Sequence, residues 1–243
     1  MSTFSRLDAP NAVWHITSKV NWAAWHLQEE NAARTFFESL QAAQTRFGVD
    51  VIAYVLMSNH YHLVARSPDE GLFHELTSRR TSCRHRRRWP KRHSKSTVVG
   101  QCIQDMELAM ARRIQGKLGV SGHLWGRRHH RRQLHDEWAL VVAVAYDHRN
   151  PVRQNMVARP EQYARSSAAW WTRDKPTPIP LCSRPDFPFG ADRAAFRRRL
   201  LGFQEDRRLD DVMEVFAKTR LAIDLPKGRA YLERLMRRAG LEP

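Results

Sequence analysis

Apolar and polar residues alternate along Val13-Trp14-His15-Ile16-Thr17-Ser18-Lys19, which predicts a first strand with Trp14 and Ile16 on one side and His15 and Thr17 on the other. Ala33, Phe36, Phe37, Leu40 and Ala43 recur at helical spacing and predict a helix from about Asn31 to Phe47, closed by Gly48. Val51 to Met57 reads as a second strand and Tyr61 to Ala65 as a third. A helix starts at Leu72 after Pro68, and Ile103, Met106, Leu108, Met110, Ile114 and Leu118 mark another from Val98 to Leu118. One more begins at Asp136-Glu137, the end where negative charge is favoured, and stays apolar as far as Ala145. Its last turn, Tyr146-Asp147-His148-Arg149-Asn150, is polar, and Pro151 is expected to end it.

Within this pattern one stretch is out of keeping. The apolar runs on either side of Ser58-Asn59-His60-Tyr61-His62 leave their polar residues in a single cluster, which packing does not require. Alternation points His60 and His62 the same way and Tyr61 the other. Two neutral imidazoles aimed at one point are half of a divalent metal site, with a third polar group still to come from elsewhere in the chain. Read alone, they are equally two polar residues on the exposed face of a half-buried strand. Tyr146 and Asn150, four apart, share a helix face over consecutive turns. Spacing alone also allows Tyr146 to be a helix-end aromatic packed on the core with its hydroxyl wet.

Charge narrows the class of partner. Forty-one Lys and Arg stand against 25 Asp and Glu in 243 residues, a net charge of +16 in which arginine dominates. Arginine's planar fork suits phosphate, so nucleic acid is the expected partner. No run of some 18 apolar residues and no secretory pattern at Met1 to Pro10 is found, so a soluble protein of the cell interior, with no membrane partner, is expected. Cys83, Cys102 and Cys182 are odd in number and far apart, which fits a reducing compartment and no disulfide framework.

Two basic stretches stand out. Ser78 to His93 includes Arg86, Arg87 and Trp89; such a block normally forms a mobile arm, in which Trp89 could stack on a base or simply be solvated. Gly122-His123-Leu124-Trp125-Gly126 reads as an anchored turn leading into Arg127-Arg128-His129-His130-Arg131-Arg132, an edge strand that offers its cations to a phosphate backbone or merely deters sheet pairing. Pro176, Pro178, Pro180, Pro185 and Pro188 mark a linker over 173–191, and 192–243 carries the patterns of a small basic helical extension.

Taken together, Met57-Ser58-Asn59-His60-Tyr61-His62-Leu63, Gly122-His123-Leu124-Trp125-Gly126-Arg127 and Tyr146-Asp147-His148-Arg149-Asn150-Pro151-Val152-Arg153 resemble the IS200-like tyrosine transposases, and within them the branch associated with repetitive extragenic palindromes. The resemblance runs from about Val13 to Trp171. It implies an α+β protein with a ferredoxin-like, RRM-like antiparallel sheet in residues 1–172; the basic stretch at about 78–97 departs from the family as an insertion, and the helical extension has no counterpart in it. It implies His60, His62 and Asn150 as metal ligands for Mg or Mn, and Tyr146 as the nucleophile. Single-stranded DNA with a palindromic hairpin would be the substrate, cut through a 5′-phosphotyrosine intermediate. Arg127, Arg128, Arg131, Arg132, Arg86, Arg87, Trp89 and Arg153 are then the expected DNA contacts, and a monomer in the prokaryotic cytoplasm, at the nucleoid, the expected setting. The competing expectations are a non-catalytic RRM-like nucleic-acid binder and a domesticated transposase.

Overall fold

The computed structural model describes residues 9–21, 26–82, 97–118, 122–126, 128–182, 184–206, 208–212 and 226–241. Arg86, Arg87, Trp89 and Arg127 lie outside them. The elements are β1 (Val13–Lys19), α1 (Glu30–Phe47), β2 (Asp50–Leu56), β3 (His60–Arg66), α2 (Glu70–Ser82), α3 (Val98–Leu118), β4 (His130–Leu134), α4 (Glu137–Arg153), α5 (Ala168–Arg173), α6 (Arg193–Glu205) and α7 (Pro226–Arg238).

The four strands form one antiparallel sheet in the order β2-β3-β1-β4. β1 and β2 are joined through α1 and separated by β3, the split β-α-β arrangement of ferredoxin-like folds. The expected α+β class is therefore observed, with the histidine-bearing strand β3 inside the sheet. Gly48 sits at φ 59°, the left-handed conformation that closes α1 without a Cβ clash.

Alternation along the strands divides the interior in two. Trp14, Ile16, Tyr54, Tyr61 and Leu63 face α1 and α3, where Phe36, Leu40, Val99, Ile103 and Met106 complete a first core. Val13, Ala53, Val64 and Leu134 point to the opposite face and meet Leu140, Val142 and Val144 of α4, backed by Trp171, Phe196, Leu200, Leu232 and Met236. Both faces of the sheet are thus covered.

The residues after α4 close the β2 edge. Leu56 N–H donates to Arg165 C=O and Ser167 N–H to Tyr54 C=O, while Cys182 N–H donates to Val51 C=O at 2.8 Å. These bonds occupy backbone groups that would otherwise invite another strand. Ile179 and Leu181, in the proline-rich segment, are buried in the first core.

One expectation about α4 is corrected. Pro151 does not end the helix, which continues to Arg153 with Gln154 N–H donating to Asn150 C=O. Proline removes one backbone hydrogen bond but leaves φ helical, and here it sits in the last turn of the helix, buried together with Arg149 and Asn150, so packing outweighs the lost bond.

Candidate active site

The sheet face beneath α4 changes character along its length. Register places Val13 opposite Leu134 and near Val64 at one end, then His15 opposite Arg132, Thr17 opposite both His62 and His130, and Lys19 opposite His60 at the other. α4 starts just beyond Leu134, capped by the Asp136 side chain, which accepts from Ala139 N–H at 2.8 Å. Its apolar turns cover the apolar half, and its polar last turn arrives over the histidines.

There Asn150 Nδ2 lies 3.0 Å from His62 Nε2. The Tyr146 ring meets the His62 ring edge-on at 6.1 Å between centroids. His60 and His62 are 5.2 Å apart, ring to ring, and His60 Nδ1 is 2.7 Å from Asn59 Oδ1. The structure therefore brings His60, His62, Tyr146 and Asn150 to one place. Burial, aided by the neighbouring His62 and Lys19, lowers the His60 pKa to about 4, which leaves its imidazole neutral at physiological pH with a lone pair to offer.

Two residues that the sequence did not single out complete the cluster. Asp147 is fully buried, and its Oδ1 lies 2.9 Å from His15 Nε2 and 3.2 Å from His62 Nδ1. The His15 and His62 rings stack at 5.7 Å with an interplanar angle of 20°. Burial alone would raise the Asp147 pKa, but the two imidazoles outweigh it and hold the carboxyl well below its usual range. His15, His62 and Asp147 present donor atoms all within 4.8 Å of one another, a group able to bind a metal ion.

The arginines divide by strand parity. Arg153 places its guanidinium carbon 5.0 Å from the Tyr146 ring centroid. Arg128 is exposed, and Arg132 shares the His15 face of the sheet and is half-buried. Arg131 departs from expectation. It lies opposite Ile16, is 3% exposed, and stands 5.6 Å from the Trp14 ring with a hydrogen bond to Thr97 Oγ1, so it is held inside the first core rather than offered to DNA. Gly100 makes the space, since a Cβ there would overlap the Arg131 guanidinium.

Behind α4, the C-terminal residues grip the turn that carries the tyrosine. Buried Arg149 donates Nε to Asp210 at 2.8 Å and Nη1 to Gln204 C=O. His148 is bonded to Ser167 Oγ at 2.7 Å and to Gln204, and burial pushes its pKa down to about 3.

The fold, a ferredoxin-like sheet with a covering helix that ends over a His-x-His strand, is similar to that of a solved transposase. The solved structure of a REP-associated tyrosine transposase bound to a REP hairpin matches 79% of this chain and 98% of its own, with a TM-score of 0.51 at 14% identity. A transposase structure from Deinococcus radiodurans R1 aligns over 64% of this chain and 98% of its own at 12% identity and a TM-score of 0.35. No protein-family model matches the chain, and no curated protein does.

Proposed function

We propose that this chain is a metal-dependent tyrosine transposase that cuts and rejoins single-stranded DNA beside a hairpin. The observation that carries the reading is the meeting of Tyr146 and Asn150, from one helix face, with His62 of the His60-x-His62 pair. The fold match to a protein whose structure holds a REP hairpin supports a hairpin as partner.

The donor set is a borderline one that can hold a divalent cation when water and phosphate oxygens complete its shell. Two neutral imidazoles and an amide oxygen would hold it, the latter presented by a half-turn of the Asn150 side chain. When bound, Mg or Mn would polarise a phosphate oxygen and orient the scissile bond. The chain's own groups do the rest. Tyr146 Oη attacks phosphorus, the 3′-oxygen departs and takes up a proton as the 3′-hydroxyl, and the 5′-phosphate stays on the tyrosine. Attack by a 3′-hydroxyl reverses the step, and because one phosphodiester replaces another no nucleotide triphosphate is consumed. Arg153, above the ring, supplies positive charge where the phenol loses its proton. Arg128, which is exposed, and Arg132, half-buried on the His15 face, would hold flanking phosphates.

A non-catalytic RRM-like binder would lay bases on the open sheet face. In this chain that face is covered by α4 and the helices behind it, which leaves no such platform among the described residues.

The test is incubation with end-labelled single-stranded hairpin DNA and Mg or Mn, resolved on a denaturing protein gel. A covalent protein–DNA band that requires metal and is lost in Tyr146→Phe and His60→Ala is expected. Tight binding without such a band, equal in the parent and Tyr146→Phe, would refute the reading.

A further inference from the structure

His62 has a neighbour on each ring nitrogen, and the two neighbours agree on where its proton sits. Asn150 Nδ2 is a donor and requires a lone pair on Nε2. On the other side Asp147, a buried carboxylate, can only accept, which requires the hydrogen on Nδ1. The Nδ1 contact is longer than that to His15 and out of line for a hydrogen bond, so it acts chiefly as a charge–dipole attraction. Asp147 is itself held by His15 of the neighbouring strand β1, whose Nε2 donates to the same oxygen at 2.9 Å. Its second oxygen, Oδ2, meets no donor among the described residues. The carboxylate is thus fixed by two strands at once.

We propose that Asp147 is a positioning residue, anchored by His15, that holds His62 in the Nδ1–H tautomer and so keeps the Nε2 lone pair turned toward Asn150 and the metal position. The inference rests on the metal-site reading above for its purpose, but the tautomer itself is a property of the metal-free protein. It also explains a placement that packing does not: Asp147 follows the tyrosine directly in α4, so the residue that offers the nucleophile and the residue that orients the ligand sit on one helical turn. Outer partners of this kind fix the ring orientation of metal-bound histidines and raise their basicity.

The test uses the full chain in two arms. Imidazole 15N NMR of metal-free protein at about pH 8, above the ordinary titration range of histidine, reports which nitrogen of His62 is protonated, with His62→Gln supplying the assignment. The expected result is Nδ1–H in the parent and in Asp147→Asn, whose amide oxygen still accepts, and Nε2–H in Asp147→Leu, where the Asn150 amide turns its oxygen to the ring. Asp147→Ala serves in place of Asp147→Leu should that variant not fold. In the second arm, Mn binding followed by electron paramagnetic resonance is expected to weaken by about 10–100-fold in Asp147→Leu, with most of it restored in Asp147→Asn.

Retention of Nδ1–H in Asp147→Leu, with unchanged Mn affinity, would overturn the proposal. So would loss of Mn binding in His15→Ala together with its retention in His60→Ala, for the ion would then be held by His15, His62 and Asp147 themselves. A parent that takes up no Mn would refute the metal-site reading instead, and the tautomer arm would still decide the role of Asp147.

Discussion

The guanidinium carbon of Arg153 stands 5.0 Å from the centre of the Tyr146 ring, two turns further along the same helix. A cation over an aromatic face is worth about 0.5–2 kcal/mol, more where water is excluded. If that attraction grows as the phenol loses its proton, Arg153→Ala should slow covalent complex formation about 2- to 30-fold. Single-turnover cleavage on saturating hairpin DNA measures this. An equal fall in DNA affinity with an unchanged rate would make Arg153 a phosphate contact instead.

Gly100→Ala is expected to destabilise the protein without touching the site. The new methyl would fall on the guanidinium of Arg131, which is buried against Trp14 and bonded to Thr97 and would have to give up those contacts to move. Overpacking of this kind costs about 1–3 kcal/mol. Urea unfolding should show the loss, and Arg131→Met in the same background should recover part of it by removing the clash.

The bond between the tyrosine helix and the C-terminal residues is open to a direct trial. Asp210→Ala leaves the Arg149 guanidinium, 3% exposed, without its carboxylate. Leaving a buried charge unpaired costs about 3–5 kcal/mol. Hydrogen exchange should quicken in α6 and in the last turn of α4 before it changes in β1 or β3. Unchanged exchange at both places would mean that Arg149 is held by Gln204 alone.

Stability should fall in acid through His148. Its folded pKa is pushed below the ordinary value, to about 3, so the unfolded chain takes up a proton near pH 6.5 while the folded chain does not. The stabilisation is complete above that range and declines as pH falls toward 3, by up to about 1.4 kcal/mol per pH unit. Thermal unfolding between pH 7 and 4 should be shallower for His148→Gln than for the parent, provided that glutamine keeps the bonds to Ser167 and Gln204.

Much of the fold is readable because each strand obeys a period of two and each long helix its own. β1, β3 and the tyrosine helix follow directly from which residues are apolar, and the pairing of His60 with His62, or Tyr146 with Asn150, needs only local geometry. His15 and Asp147 were hidden because their partnership spans 132 residues and depends on which face of β1 lies under α4. Arg131 was obscured differently: in a strand where every neighbour is basic, composition gives no hint of parity, and only the register with Ile16 shows that it turns inward. Pro151 misled because a local preference was weighed without the burial on both sides of α4 that overrides it.

The covering of both sheet faces has a further consequence for movement. Val142 and Val144 are seated between the sheet and the helices behind it, and neither side is wet. To carry Tyr146 away on its helix, whether to reach a second site or to be lent to another copy, the molecule would have to open its second core and bare the apolar half of the sheet to water. A DNA end bound to such a tyrosine would stay put, and strand exchange would have to proceed by bringing the other end to it.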